Sequence, residues 1–126
     1  MKKILLILLA CLPLFAIAKD NKEKNNSDPK YLAADLMSQA EHDPMASAIL
    51  VTTSENLARE TEKELERQIE TLSRKDIIRQ SLSQFGAMIV CDTMEEAVEF
   101  ANELAPEHLE ACVKNPMEYI GKLDNV

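Results

Sequence analysis

Glycine is nearly missing from this chain, with only Gly86 and Gly121 among 126 residues. A Rossmann fingerprint or a P-loop needs clustered glycines so that backbone can approach phosphate, so the chain has no recognisable nucleotide loop of its own. There is no tryptophan, no GxSxG and no HExxH, which removes the nucleophile elbow and the zincin helix. The three cysteines, Cys11, Cys91 and Cys112, form no CxxC pair, no zinc-finger spacing and no disulfide framework. Positive charge is short as well: 14 basic against 22 acidic residues, a formal net charge of -8. Such a chain repels phosphate backbones and anionic membrane surfaces, which argues against a nucleic-acid or membrane-surface partner. The acids read as a solvated, soluble surface.

Apolar residues are present in quantity, 46% of the chain, but many fall in the first eighteen positions. Residues 1–18 read as a secretory signal peptide. Lys2 and Lys3 supply a basic start, Ile4 to Phe15 an apolar run, and Ala16-Ile17-Ala18 a small-x-small cleavage site. The run is too short for a comfortable membrane span. A lipobox at Leu8-Leu9-Ala10-Cys11 is the rival reading, and apolar residues continuing past Cys11 argue against it. Residues 19–28, KDNKEKNNSD, carry no apolar side chain and read as a flexible linker. The domain is placed at 29–126, near the lower end of comfortable domain size at about a hundred residues.

From Tyr31 helix and strand patterns alternate. Leu32, Leu36 and Met37 share a helix face that ends near Asp43-Pro44. Ala48 to Val51 is a short apolar run, the first buried-strand candidate. Thr52 with Glu55 fits a capping box, and Leu57, Thr61, Leu65, Ile69 and Leu72 follow at helical spacing, with charges opposite. Ser73 and Asp76 can cap a third helix that Gly86 ends. Ala87 to Val90 is the second buried strand, leaving Cys91 as a small buried hydrophobe. Thr93 with Glu96 caps a helix that stops before Pro106, and Pro106 can open another over Glu107 to Cys112. Pro116 to Ile120 suggests one more short turn. Apolar strands separated by helices predict an α/β fold: part of a parallel sheet covered on both faces, an incomplete Rossmann-like domain. Two strands are too few for such a sheet, and the stop at Val126 suggests truncation.

Two histidines carry the candidate chemistry. Gln39 and His42, three apart, share a helix face. An imidazole with an amide oxygen is a weak metal pair, and a surface histidine near a helix end is the plainer reading. Glu107 beside His108 offers a general acid–base pair, against the plainer reading of a solvated helix start.

The stretches LMSQAEHDP (36–44), AILVTTS (48–54) and LAPEHLE (104–110) resemble signature segments of histidinol dehydrogenase, in the family's order and approximate spacing. The resemblance covers about residues 28–126, roughly a quarter of a typical family member. It implies an NAD-dependent, zinc-assisted oxidation of L-histidinol to L-histidine. Gln39 and His42 then match two zinc ligands. His108 matches the base that takes the substrate's hydroxyl proton, and Glu107 the group that activates water. The family's other zinc ligands, an aspartate and a histidine, and much of its NAD-binding region match nothing here. The resemblance implies a homodimer, or a complementing chain as partner, and a cytoplasmic location, against export if the signal is used. The expectation is a fragment inactive alone; the alternatives are an exported, non-catalytic α/β binding domain and a non-functional gene remnant.

Overall fold

The computed structural model describes residues 14–18 and 28–125. Four parallel strands form one open sheet, in the order β3-β2-β1-β4. They are β1 (Leu14–Ala18), β2 (Ala48–Thr52), β3 (Ala87–Val90) and β4 (His108–Cys112). The helices are α1 (Pro29–Ala40), α2 (Glu55–Ile69), α3 (Lys75–Phe85), α4 (Met94–Leu104) and the short α5 (Met117–Ile120). An all-parallel sheet is the expected α/β class, and the strand alternation explains its two covered faces. Ala16, Ala18 and Leu50 pack with Leu32, Leu36, Leu57, Leu65 and Ile78 of α1, α2 and α3. Ile17 and Val51 point the other way, into a second cluster with Met94, Ala97 and Ala101 of α4.

Leu14–Ala18, which the sequence reading set aside as the end of a leader, is an interior strand. It pairs with β2 on one side and β4 on the other. Ala16, Ile17 and Ala18 are buried. An apolar run after two lysines fits an export signal and a buried strand equally well, so composition could not separate them. The rest of the leader and all but Asp28 of the linker lie outside the described residues.

Two other expectations are corrected. His108 to Cys112 is a strand, not a helix: Ala105 adopts a left-handed conformation (φ 46°) that terminates α4, and the chain then extends through Pro106. The five residues alternate, with Leu109 and Ala111 packed on the α4 side and Cys112 on the α1 side. Ala87–Val90 is an edge strand, only partly buried, with Val90 47% exposed. Among the described residues the sheet thus has four strands where two were expected.

The caps follow local chemistry. Asp28 accepts from the Lys30 amide at 2.9 Å and Pro29 opens α1. Ser54, not Thr52, caps α2, accepting from Leu57 N–H at 3.1 Å. Thr93 accepts from Glu96 N–H at 3.2 Å, while the Glu96 carboxylate reaches back to Asp92 N–H at 3.0 Å. Ser73 and Asp76 do not cap α3, whose cap position is Arg74 with no side-chain bond. Gly86 ends α3 as expected, for a steric reason: a Cβ there would lie 2.5 Å from the Leu82 carbonyl oxygen.

Candidate functional site

α1 packs on β1 and β2 and hands the chain through residues 41–47 to the N-terminal end of β2. Its last turn therefore reaches the edge where the strands begin. Gln39 lies in that turn, and exposed His42 follows it, the His42 amide donating to the Gln39 carbonyl at 3.2 Å. The loop behind His42 is tied down. Asp43 accepts from Met45 N–H at 2.7 Å and, through its carbonyl, from Ala46 N–H at 2.9 Å. Buried Ser81 of α3 donates to the Ala46 carbonyl at 2.7 Å, and Ser47 donates to the Phe85 carbonyl at 2.9 Å. The expected metal pair thus sits on a turn that α3 braces.

Glu107 and His108 reach the same edge from the other side. His108 begins β4 and is in register with Leu14 of β1, which is also in register with Ala48 of β2. Two strand spacings separate Ala48 from His108, about 10 Å. Both Glu107 and His108 are exposed. The structure therefore gathers the two predicted pairs at one sheet edge, on either side of the start of β1.

Sequence reasoning missed a third set. Asp35 of α1 and Glu110 and Cys112 of β4 place one donor atom each within 4.8 Å of one another. Asp35, Gln39 and His42 are spaced four and three apart, one row along α1 and its turn. His108, Glu110 and Cys112 alternate on one face of β4. The two rows meet at the Asp35–Glu110–Cys112 cluster. Burial first, then the charge of Asp35 and a hydrogen bond with it, raises the pKa of the Glu110 carboxyl above its usual range. Burial first, then Glu110 and Asp35, pushes the Cys112 thiol up to about 11. A thiol held neutral at ordinary pH is a poor metal ligand and a poor nucleophile. The signal was the i, i+4 spacing from Asp35 to Gln39 and the alternation in HLEAC, hidden by the assignment of that segment to a helix.

The described residues also form a groove of about 830 Å³ between α2, α3 and the β2–β3 edge, floored by Leu65, Ile69, Leu82 and Met88. It touches none of the four predicted site residues. No helix among the described residues is long and apolar enough to cross a membrane.

A family model described as histidinol dehydrogenase matches residues 17–126. Histidinol dehydrogenase of Caldanaerobacter subterraneus is 59% identical over 100 residues, 79% of this chain and 23% of that protein. The enzyme of Clostridium acetobutylicum is 52% identical over 98 residues, 78% of this chain and 23% of its own length. A crystal structure of histidinol dehydrogenase from Elizabethkingia anophelis superposes with a TM-score of 0.83 at 34% identity, covering 94% of this chain and 26% of that one. The chain spans about a quarter of the length of these relatives.

Proposed function

Because the chain belongs to the histidinol dehydrogenase family, we propose that it carries two parts of that enzyme's site: the metal-holding turn at Gln39 and His42, and the acid–base pair Glu107 and His108. The observation that carries the reading is the convergence of both pairs on one edge of the sheet, at the ends of α1 and β4.

The donor set fits half of a zinc site. An amide oxygen and an imidazole on one braced turn can fill two of the four positions a tetrahedral zinc requires. Bound there, zinc would supply a positive charge that orients the substrate. NAD would supply the hydride acceptor, and no residue of this chain is assigned to it. The chain's own part is proton handling. Exposed His108 accepts the proton of the L-histidinol hydroxyl as its carbon loses hydride. Glu107, one residue before it, accepts a proton from the water that adds at the aldehyde level. A second hydride loss then gives L-histidine. Imidazole suits the first role because its ordinary pKa lies near neutrality, and a carboxylate suits the second. Turnover requires, besides these residues, the remaining metal ligands and a dinucleotide site.

The test is a chimera of the Caldanaerobacter relative in which residues 28–126 replace the matching segment. Histidinol-dependent NADH formation is expected. His108→Ala and Glu107→Gln are each expected to lower kcat by about 10²–10⁴-fold. A chimera that folds and turns over equally well without either side chain overturns the reading.

A further inference from the structure

Asp35 and Glu110 take no part in the proposed reaction, yet they join the two elements that do. Asp35 begins the row on α1 that runs through Gln39 to His42. Glu110 lies on the β4 face that begins at His108. They approach each other, with Cys112 beside them, two residues along β4 from His108 and one helical turn along α1 from Gln39. Among the described residues β4 is an outer strand, paired on its β1 side alone, and the approach of Asp35 to Glu110 is a side-chain link between it and α1. One carboxylate oxygen of Glu110 and one of Asp35 lie within 4.8 Å of each other, across the gap between β4 and α1. Two carboxyls can bond only with one proton between them, since two charged carboxylates at that distance repel.

We propose that Asp35 and Glu110 are positioning residues: an acid–carboxylate pair that clasps α1 to β4 and so sets the spacing between the Gln39–His42 turn and the Glu107–His108 pair. The catalytic consequence rests on the function proposed above; the clasp itself does not. Burial and Asp35 both favour the protonated Glu110 that the clasp requires. Among the described residues, the titratable groups on this side of Glu110 are Asp35 from α1 and His108 and Cys112 from its own strand. Ala16, its register partner on β1, brings no charge.

The thiol of Cys112 reports the state of the clasp because it lies within 4.8 Å of both carboxyls. The experiment is alkylation of the full chain, without metal or cofactor, read by mass spectrometry of the Cys112 peptide. Rates are normalised to the thiolate fraction, with Cys91 as the internal control. In the native chain the normalised rate is expected to rise about tenfold or more as the pH is raised, when the pair loses its proton and the like charges separate. Asp35→Asn and Glu110→Gln keep a hydrogen bond that needs no titrating proton, so both should label slowly and without that rise. Asp35→Leu should label fast at every pH, with circular dichroism checking that it folds. Native and Asp35→Asn chains with the same profile overturn the proposal, and so does an Asp35→Leu chain as protected as the native one at low pH. In the chimera, Asp35→Leu should lose about tenfold or more in kcat and Asp35→Asn should restore it. Labelling that follows the expected pattern, in a chimera indifferent to Glu107 and His108, would remove the catalytic reading and leave the clasp. Turnover that needs both residues, with pH-flat labelling in the native chain, would remove the clasp and leave the reading.

Discussion

Replacing Ile17 by alanine tests whether β1 belongs to the fold. Ile17 is 1% exposed and packs against Val51, Met94, Ala97, Ala101 and Val113. The substitution removes three carbons, worth about 2.4 kcal/mol in transfer free energy at about 0.8 kcal/mol each. The hole left between the sheet and α4 adds a cavity cost, because strands paired on both sides cannot collapse far into it. The sum is about 3–4 kcal/mol. For a domain of this size that lowers Tm by about 12–30 °C. Ile17→Val, which removes one carbon, should cost about 1 kcal/mol. Urea unfolding followed by far-ultraviolet circular dichroism measures both, the midpoint moving while the slope stays the same. Were Leu14–Ala18 only a leader, neither substitution would matter. A loss below about 0.5 kcal/mol for Ile17→Ala, the range of an ordinary surface change, refutes the placement of β1.

Four further outcomes follow from the same geometry. Glu110 has its pKa raised in the fold, so the folded state holds the proton more tightly; stability should fall as pH rises above 4.5 and level off above the folded value. Glu110→Gln should flatten that part of a stability-versus-pH curve measured by urea unfolding. Ser81→Ala removes the buried hydroxyl that holds the Ala46 carbonyl and should cost about 1–3 kcal/mol, with faster amide exchange in the loop behind His42. Thr93→Ala removes the cap of α4 and should cost about 1 kcal/mol by thermal melting. Ala105→Gly relieves a left-handed φ of 46° and should raise stability by about 0.5–1 kcal/mol.

Much of this architecture is legible in the residues themselves. Leu57, Thr61, Leu65 and Ile69, spaced as a helical stripe, are all buried on α2, and Met94, Ala97, Val98 and Ala101 do the same on α4. Those stripes are long enough for period to decide. β1 and β4 are not. Five residues leave period and composition ambiguous: Leu14–Ala18 fits a cleavage region, and His108–Cys112 follows a proline that opens helices as readily as it ends them. The two predicted pairs were found through their likeness to family segments, not through periodicity. Asp35 and Glu110 lie far apart in sequence, and nothing local signals that they meet. Their contact depends on which strand lies beside β1, which only the assembled sheet determines.

The register of β1 has a consequence for how the molecule comes into being. Leu14 pairs with Ala48, and also with His108 near the other end of the described chain. The second pairing closes a loop that encloses β2, β3 and four helices, so its entropic cost is met only after those elements have condensed. During synthesis β1 and β2 can pair while β4 has yet to be made, and β1 then waits with one edge unsatisfied. The Glu107–His108 pair docks last, onto a half-built sheet. A chaperone or a ribosome pausing before residue 108 would hold the protein in a state that has its Gln39–His42 turn and lacks the strand that begins at His108.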